Sequence, residues 1–101
     1  MDITFSGKIW YWRGPAPFYF VSVPAEEGLD IKSIANRVTY GWGVIPVVAR
    51  IGQAEWRTSL FPKDGSYIVP IKASVRAAES LDVDDTVTLS LNVRPAPGRF
   101  R

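Results

Sequence analysis

The segment TVTLSLNV, residues 86–93, alternates without a break, with Val87, Leu89, Leu91 and Val93 on one side and Thr86, Thr88, Ser90 and Asn92 on the other. A period of two held over eight residues marks an extended strand that buries one face and wets the other. ITFSGKIWYW (3–12) repeats the pattern, setting Ile3, Phe5, Gly7, Ile9 and Tyr11 against Thr4, Ser6, Lys8, Trp10 and Trp12. Its second half is apolar on both faces, which predicts cover on both sides at that end. RGPAP (13–17) has turn composition, and FYFVSV (18–23) then reads as a strand stopped by Pro24.

VIPVVARI (44–51) and AEWRTSLF (54–61) are two further strands on either side of Gly52-Gln53. A two-residue turn with glycine first puts Arg50 opposite Glu55 and Ala49 opposite Trp56, an opposite-charge pair beside the turn. Pro62-Lys63-Asp64-Gly65 has the chemistry of a second turn and leads into SYIVP (66–70). Between the strands, LDIKSIANRVTYG spaces Ile31, Ile34, Ala35 and Val38 at helical intervals. Asp30 is placed to cap the start and Gly41 to end it. IKASVRAAES sets Ile71, Val75 and Ala78 on one face of a shorter helix, with Lys72, Arg76 and Glu79 on another.

The order strand, proline, helix, strand thus occurs twice, over 18–51 and over 66–93. In a chain of 101 residues, one domain by length, two such units with their hairpin partners predict a compact barrel made of two related halves. Residues 1–93 form the single barrel domain, and 94–101, RPAPGRFR, a basic tail containing proline and glycine.

The chain has no cysteine and no histidine. Thiol nucleophiles, Cys/His zinc sites, imidazole-dependent triads and disulfides are therefore excluded, and neither a metal nor another cofactor is implied. Chemistry at neutral pH would fall to carboxylates, lysines, tyrosines or hydroxyls, and no residue is assigned a catalytic role. The isoelectric point near 9.2 has a local origin. Three of the 12 bases lie in the last eight residues, leaving nine bases against all ten acids, a net charge of −1 over residues 1–93. No uncharged stretch is longer than Gly14 to Ala25, which holds three prolines and is too short to span a bilayer, so no membrane association is expected. The opening MDITFSGK lacks the basic-then-apolar run of a secretory signal, and the expected location is the cytoplasm.

GWGVIPVVARIG (41–52), EWRTSLFPKDGSYIVPIKASVRAAE (55–79), the leading FSGKIWYWRGPAPFYFVSVP and the closing D-x-V-x-L-x-L together resemble the bacterial domain-of-unknown-function family numbered 1905. The resemblance covers nearly the whole chain and brings a fold without a function. It implies a small barrel similar to the double-split barrels of AbrB-type regulators and MazE-type antitoxins. IVPIKASVRAAESLDVDDTVTLSL is itself similar to their half-barrel, with Asp84-Asp85 where those proteins have Gly-Asp. Phe18 stands where the family more often has Trp, and Gln53 where it has a second Gly. The expected fold class is mainly β, a closed or double-split barrel of about six to seven strands with one clear helix and one short helix.

Trp42, Trp56, Thr58, Ser59, Lys63, Lys72 and Arg76 are the candidate ligand-binding residues. Lys72 and Arg76 lie one turn apart at a helix start, where free N–H groups favour negative charge. On the competing reading Trp56 and Leu60 fill the barrel, Thr58 and Ser59 satisfy local backbone, and Lys63 is a solvated turn residue. Trp10, Trp12, Phe18, Phe20 and Trp42 are either stacking platforms for a flat ligand or bases, or core and subunit interface. Glu26-Glu27 and Asp82, Asp84 and Asp85 sit where turns and helix starts favour acids, with no metal-loop spacing around them.

The favoured function is a non-catalytic barrel module, monomer or homodimer, that binds a small anionic ligand or a protein partner through a pocket near the Pro70 helix start. The alternatives are a nucleic-acid-binding regulator, by analogy with AbrB-type barrels, and an enzyme using Lys63 or Lys72. Nucleic acid is the less favoured partner, since phosphate binding needs clustered bases that residues 1–93 lack.

Overall fold

Arg50 faces Glu55 and Ala49 faces Trp56, and the first pair closes as an ion pair of 3.0 Å. Gly52 supplies the positive φ of +58° that the two-residue connection requires. The computed structural model of the chain describes residues 2–14, 18–34 and 44–93. Trp42 and the tail 94–101 lie outside them.

The elements are β1 (Asp2–Trp12), β2 (Phe18–Ser22), α1 (Ala25–Ser33), β3 (Ile45–Ile51), β4 (Ala54–Lys63), β5 (Ser66–Pro70), α2 (Ala73–Ala78) and β6 (Thr86–Val93). Six strands close in the order β1-β2-β5-β4-β3-β6, each antiparallel to both neighbours. Two long strands make closure possible. β1 pairs with β6 through residues 2–8 and with β2 through 9–12. β4 likewise pairs with β3 through 54–60 and with β5 through 61–63. Exchanging β1 with β4, β2 with β5 and β3 with β6 leaves every pairing in place, so the ring is two β-β-α-β halves related by a pseudo-twofold axis.

The interior takes the alternate residues that the strand patterns set aside. Ile9, Val21, Ile45, Ala49, Leu60, Val69 and Leu89 are fully buried, and among the described residues no charged or polar one is buried with them. The helices close the core, Ile31 from α1 and Ile71 and Val75 beside and within α2 joining the same cluster. β6 has the bounds and the inward face expected of it.

The first helix starts earlier than expected. Asp30 does not cap it; the N-cap is Pro24 (φ −58°), whose ring presets the entry angle, and Glu26 and Glu27 follow in the first turn, where the helix dipole favours acids. Gly28 then passes so close to β5 that a Cβ there would fall on the Ser66 hydroxyl. Ala35, Val38 and Gly41, assigned to the far end of this helix, lie outside the described residues. α2 has Lys72 as its N-cap and ends in a Schellman motif, with Ser80 at φ +54° and Leu81 N–H donating to the Arg76 carbonyl (2.8 Å). Ala78, expected on its buried face, is exposed because the core contact ends at Val75.

Lys63 also differs from expectation. It is the last residue of β4, paired with Ser66, and the turn is only Asp64-Gly65, both left-handed at φ +52° and +81°. Two consecutive positive φ values form the type I′ turn that matches strand twist. Before β6, Asp84 adopts φ +73°. Asp84 N–H donates to the Ile9 carbonyl (2.8 Å) and Ile9 N–H to the Asp85 carbonyl (3.0 Å), so this acidic turn continues the ladder beside β1.

Candidate functional site

Because Ile9, Val21, Val69 and Leu60 point inward, their neighbours on β1, β2, β5 and β4 must point out. Those neighbours are Trp10, Trp12, Phe18, Phe20, Ile68, Pro70, Phe61, Ser59 and Lys63. The register aligns Trp10 with Phe20, Trp12 with Phe18, Phe20 with Pro70 and Phe61 with Ile68. A four-strand face that solvent would normally wet is instead apolar.

This face encloses a groove of about 740 Å³, to which Thr58 also contributes. Its floor is fixed by side-chain contacts. The Trp10 and Phe20 rings lie 5.2 Å apart, and Phe18 lies 6.0 Å from Phe20. Trp10 Nε1 donates to Ser22 Oγ at 3.0 Å, which locks the indole in one orientation. The Trp12 ring folds back over Gly14, where a Cβ would come within 2.8 Å of it. The walls remain accessible, with Trp12 49%, Phe18 46% and Phe61 41% exposed. The expectation of cover on both sides of Tyr11 and Trp12 is therefore corrected, since both are exposed. The apolar outer side of this strand lines a groove instead of packing under another element.

The polar lining comes from one strand. Thr58, Ser59 and Lys63 all belong to β4, and among the described residues Lys63 is the only charged one lining the groove. Lys63 Nζ lies 3.4 Å from Asp64 Oδ2, both side chains being largely solvated.

Three of the seven candidate residues, Thr58, Ser59 and Lys63, therefore meet at one groove, which Pro70 also lines. The other described ones are elsewhere. Trp56 packs in the barrel core with Leu60, and its Nε1 has no hydrogen-bond partner among the described residues. Lys72 is exposed at the α2 N-cap. Arg76 lies 3.6 Å from the centroid of the Tyr19 ring, which meets Tyr11 edge-on at 5.0 Å. Its Nε donates to the Ile71 carbonyl at 3.4 Å, so the guanidinium is engaged in holding α2 to β2. Phe61 and Ile68 are lining residues not among those expected; their outward position on the β4–β5 hairpin was the available signal.

The opposite outer face, around β6, is polar. Hydroxyls of Thr4 and Ser90 share a hydrogen bond (3.3 Å), as do those of Ser6 and Thr88 (3.0 Å), and Asn92 Nδ2 donates to Asp2 Oδ1 (2.6 Å). The acids of the 82–85 turn serve the backbone. Asp85 Oδ2 accepts from Asp82 N–H (2.8 Å) and Asp82 Oδ1 from Val83 N–H (2.7 Å). Among the described residues no group of three or more carboxylates is arranged to hold a metal, and no helix is long and apolar enough to cross a membrane.

Compared with known proteins, residues 5–91 match the model of one family, whose description is Domain of unknown function (DUF1905). No curated protein matches the chain.

Proposed function

The chain belongs to the DUF1905 family, a membership that carries no activity with it, and on that premise we propose that the barrel is a non-catalytic binding module whose site is the outer groove of β1, β2, β5 and β4. The observation that supports this reading is the groove itself. Its volume of about 740 Å³ falls within the range of small-molecule sites, roughly 300–1,000 Å³, and like them it is mostly apolar with a few polar groups on one side. Large aromatic side chains held at a solvent-open surface gain nothing for the fold by their exposure. The positive charge of Lys63 favours an anionic occupant.

The closed ring restricts how a protein partner could engage. No strand edge is free among the described strands, so a partner cannot add a strand and must dock on side chains. A phosphate backbone is a poorer fit, because it needs several clustered bases and the groove has one among the described residues.

Titration with the fluorescent anion 8-anilinonaphthalene-1-sulfonate tests the site. The intact chain is expected to bind one equivalent saturably, and Trp12→Ala or Phe18→Ser to weaken binding about tenfold or more, the loss of one buried aromatic contact, with circular dichroism unchanged. Equal binding by the wild type and both folded variants would overturn the assignment.

A further inference from the structure

We infer that the groove's occupant is a flat aromatic monocarboxylate lying across the strands, its ring system over β1 and β2 and its carboxylate on β4 at Lys63. The inference rests on the proposed groove site and adds the chemistry and orientation of what fills it. Three observations carry it. First, the polar groups lie on one side: Trp10, Trp12, Phe18 and Phe20 come from β1 and β2, whereas Thr58, Ser59 and Lys63 all come from β4, which adds Phe61, with β5 between. Second, among the described residues Lys63 is the only charged one lining the groove and no carboxylate lines it, so a single negative charge is matched and a cation is not. Third, the span fits. Phe20 pairs with Pro70 and Lys63 with Ser66, so their backbones lie two strand spacings apart across the sheet and four residues apart along it, about 16 Å, and the lysine side chain covers part of that distance, leaving room for a fused bicyclic ring system carrying one carboxylate.

Asp64 gives the inference a handle. Its carboxylate already lies 3.4 Å from Lys63 Nζ, so a ligand carboxylate must compete with it. Asp64 also occupies a left-handed position at φ +52°, where asparagine is equally at home. Asp64→Asn therefore removes the competitor without disturbing the turn.

Isothermal titration of the full chain with 2-naphthoate and with its neutral isostere 2-naphthamide, at low ionic strength, provides the test. The wild type is expected to bind naphthoate about three- to tenfold more tightly than the amide, the gain from a charge-assisted contact. Lys63→Gln should lower naphthoate affinity until that preference is gone. Asp64→Asn should strengthen naphthoate binding about two- to fivefold, the scale of an exposed ion pair, without effect on the amide. Equal affinity of the wild type for both compounds overturns the carboxylate assignment while leaving the groove as a binding site. Binding of neither compound removes both.

Discussion

Val21 and Val69 face each other across the β2–β5 seam, and they occupy the same place in the two halves of the barrel. A shift of 48 positions carries Val21 onto Val69, Tyr19 onto Tyr67 and Val23 onto Ile71. The backbone bonds obey it: Val23 N–H donates to the Tyr67 carbonyl (2.9 Å), and Ile71 N–H to the Tyr19 carbonyl (2.8 Å). The seam is thus the pseudo-twofold axis written in hydrogen bonds. Both valines are fully buried, and each loses two methyls on replacement by alanine. Val21→Ala and Val69→Ala should each cost about 2 kcal/mol by urea denaturation with an unchanged m-value, from lost transfer energy and an incompletely collapsed cavity. Unequal costs, with one near zero, would contradict their equivalence.

Gly28 is held to glycine by distance, not by dihedral angle. Its missing side chain leaves room for the Ser66 hydroxyl, which donates to the Val23 carbonyl at 2.9 Å. Alanine normally strengthens a helix interior by about 1 kcal/mol over glycine. Here Gly28→Ala should instead destabilise by about 1–3 kcal/mol, through overpacking and the broken serine bond. Adding Ser66→Gly should recover part of that loss, which thermal melts of the two variants would show.

Arg76 and Tyr19 form a cation–π contact between α2 and β2. Arg76→Lys should cost about 1 kcal/mol, because an ammonium cannot stack its plane on the ring and still reach the Ile71 carbonyl. With Tyr19→Leu in place the same change should cost less, and a double-mutant cycle in urea reads the difference. Full additivity would show that the two residues act separately.

Besides the Asp64-Gly65 turn, two turns carry a non-glycine residue at positive φ where glycine would be strain-free, Ser80 at +54° and Asp84 at +73°. Ser80→Gly is expected to raise stability by about 0.5–1 kcal/mol, since the Schellman cap loses its steric penalty. Asp84→Gly should gain a similar amount, offset in part by the greater freedom of glycine in the unfolded chain. Equilibrium denaturation of the two single variants measures both.

Burial pushes the Tyr67 hydroxyl above its ordinary pKa of 10.0. A raised folded-state value means that the unfolded chain releases this proton first as pH climbs. The contribution is therefore fully present below about pH 10 and is lost as pH rises through the folded-state value. Tyr67→Phe should accordingly show a shallower loss of stability between pH 10 and 11 than the wild type. Identical slopes would mean that the hydroxyl is not desolvated.

Much of the fold could be read locally, because alternation and turn chemistry act over a few residues. β6, β5 and the Arg50–Glu55 register follow from the pattern alone, and the strand-proline-helix-strand repeat anticipates the two halves. The start of α1 did not follow, because Pro24 and Asp30 are both competent helix-start residues and only the packing of Gly28 on Ser66 selects the earlier one. The groove was harder still. Trp10, Trp12, Phe18 and Phe20 were visible as a set, but their continuity with Phe61 and Ile68 depends on β2 pairing with β5, a contact between segments 48 residues apart. The candidate cluster from Trp56 to Arg76 was compact in sequence only. Strand alternation turns Trp56 inward and Ser59 outward, and α2 carries Arg76 onto Tyr19.

The two outer faces of the ring give the barrel a sidedness that its internal symmetry would not predict. In the registers that relate the halves, Trp12 and Phe18 correspond to Lys63 and Ser66, so the duplicated scaffold repeats its skeleton and not its skin. One flank is a lattice of hydroxyls and the other a sheet of rings. A change made in one half of the sequence therefore has no counterpart on the skin of the other: the two halves share what they bury and differ in what water meets.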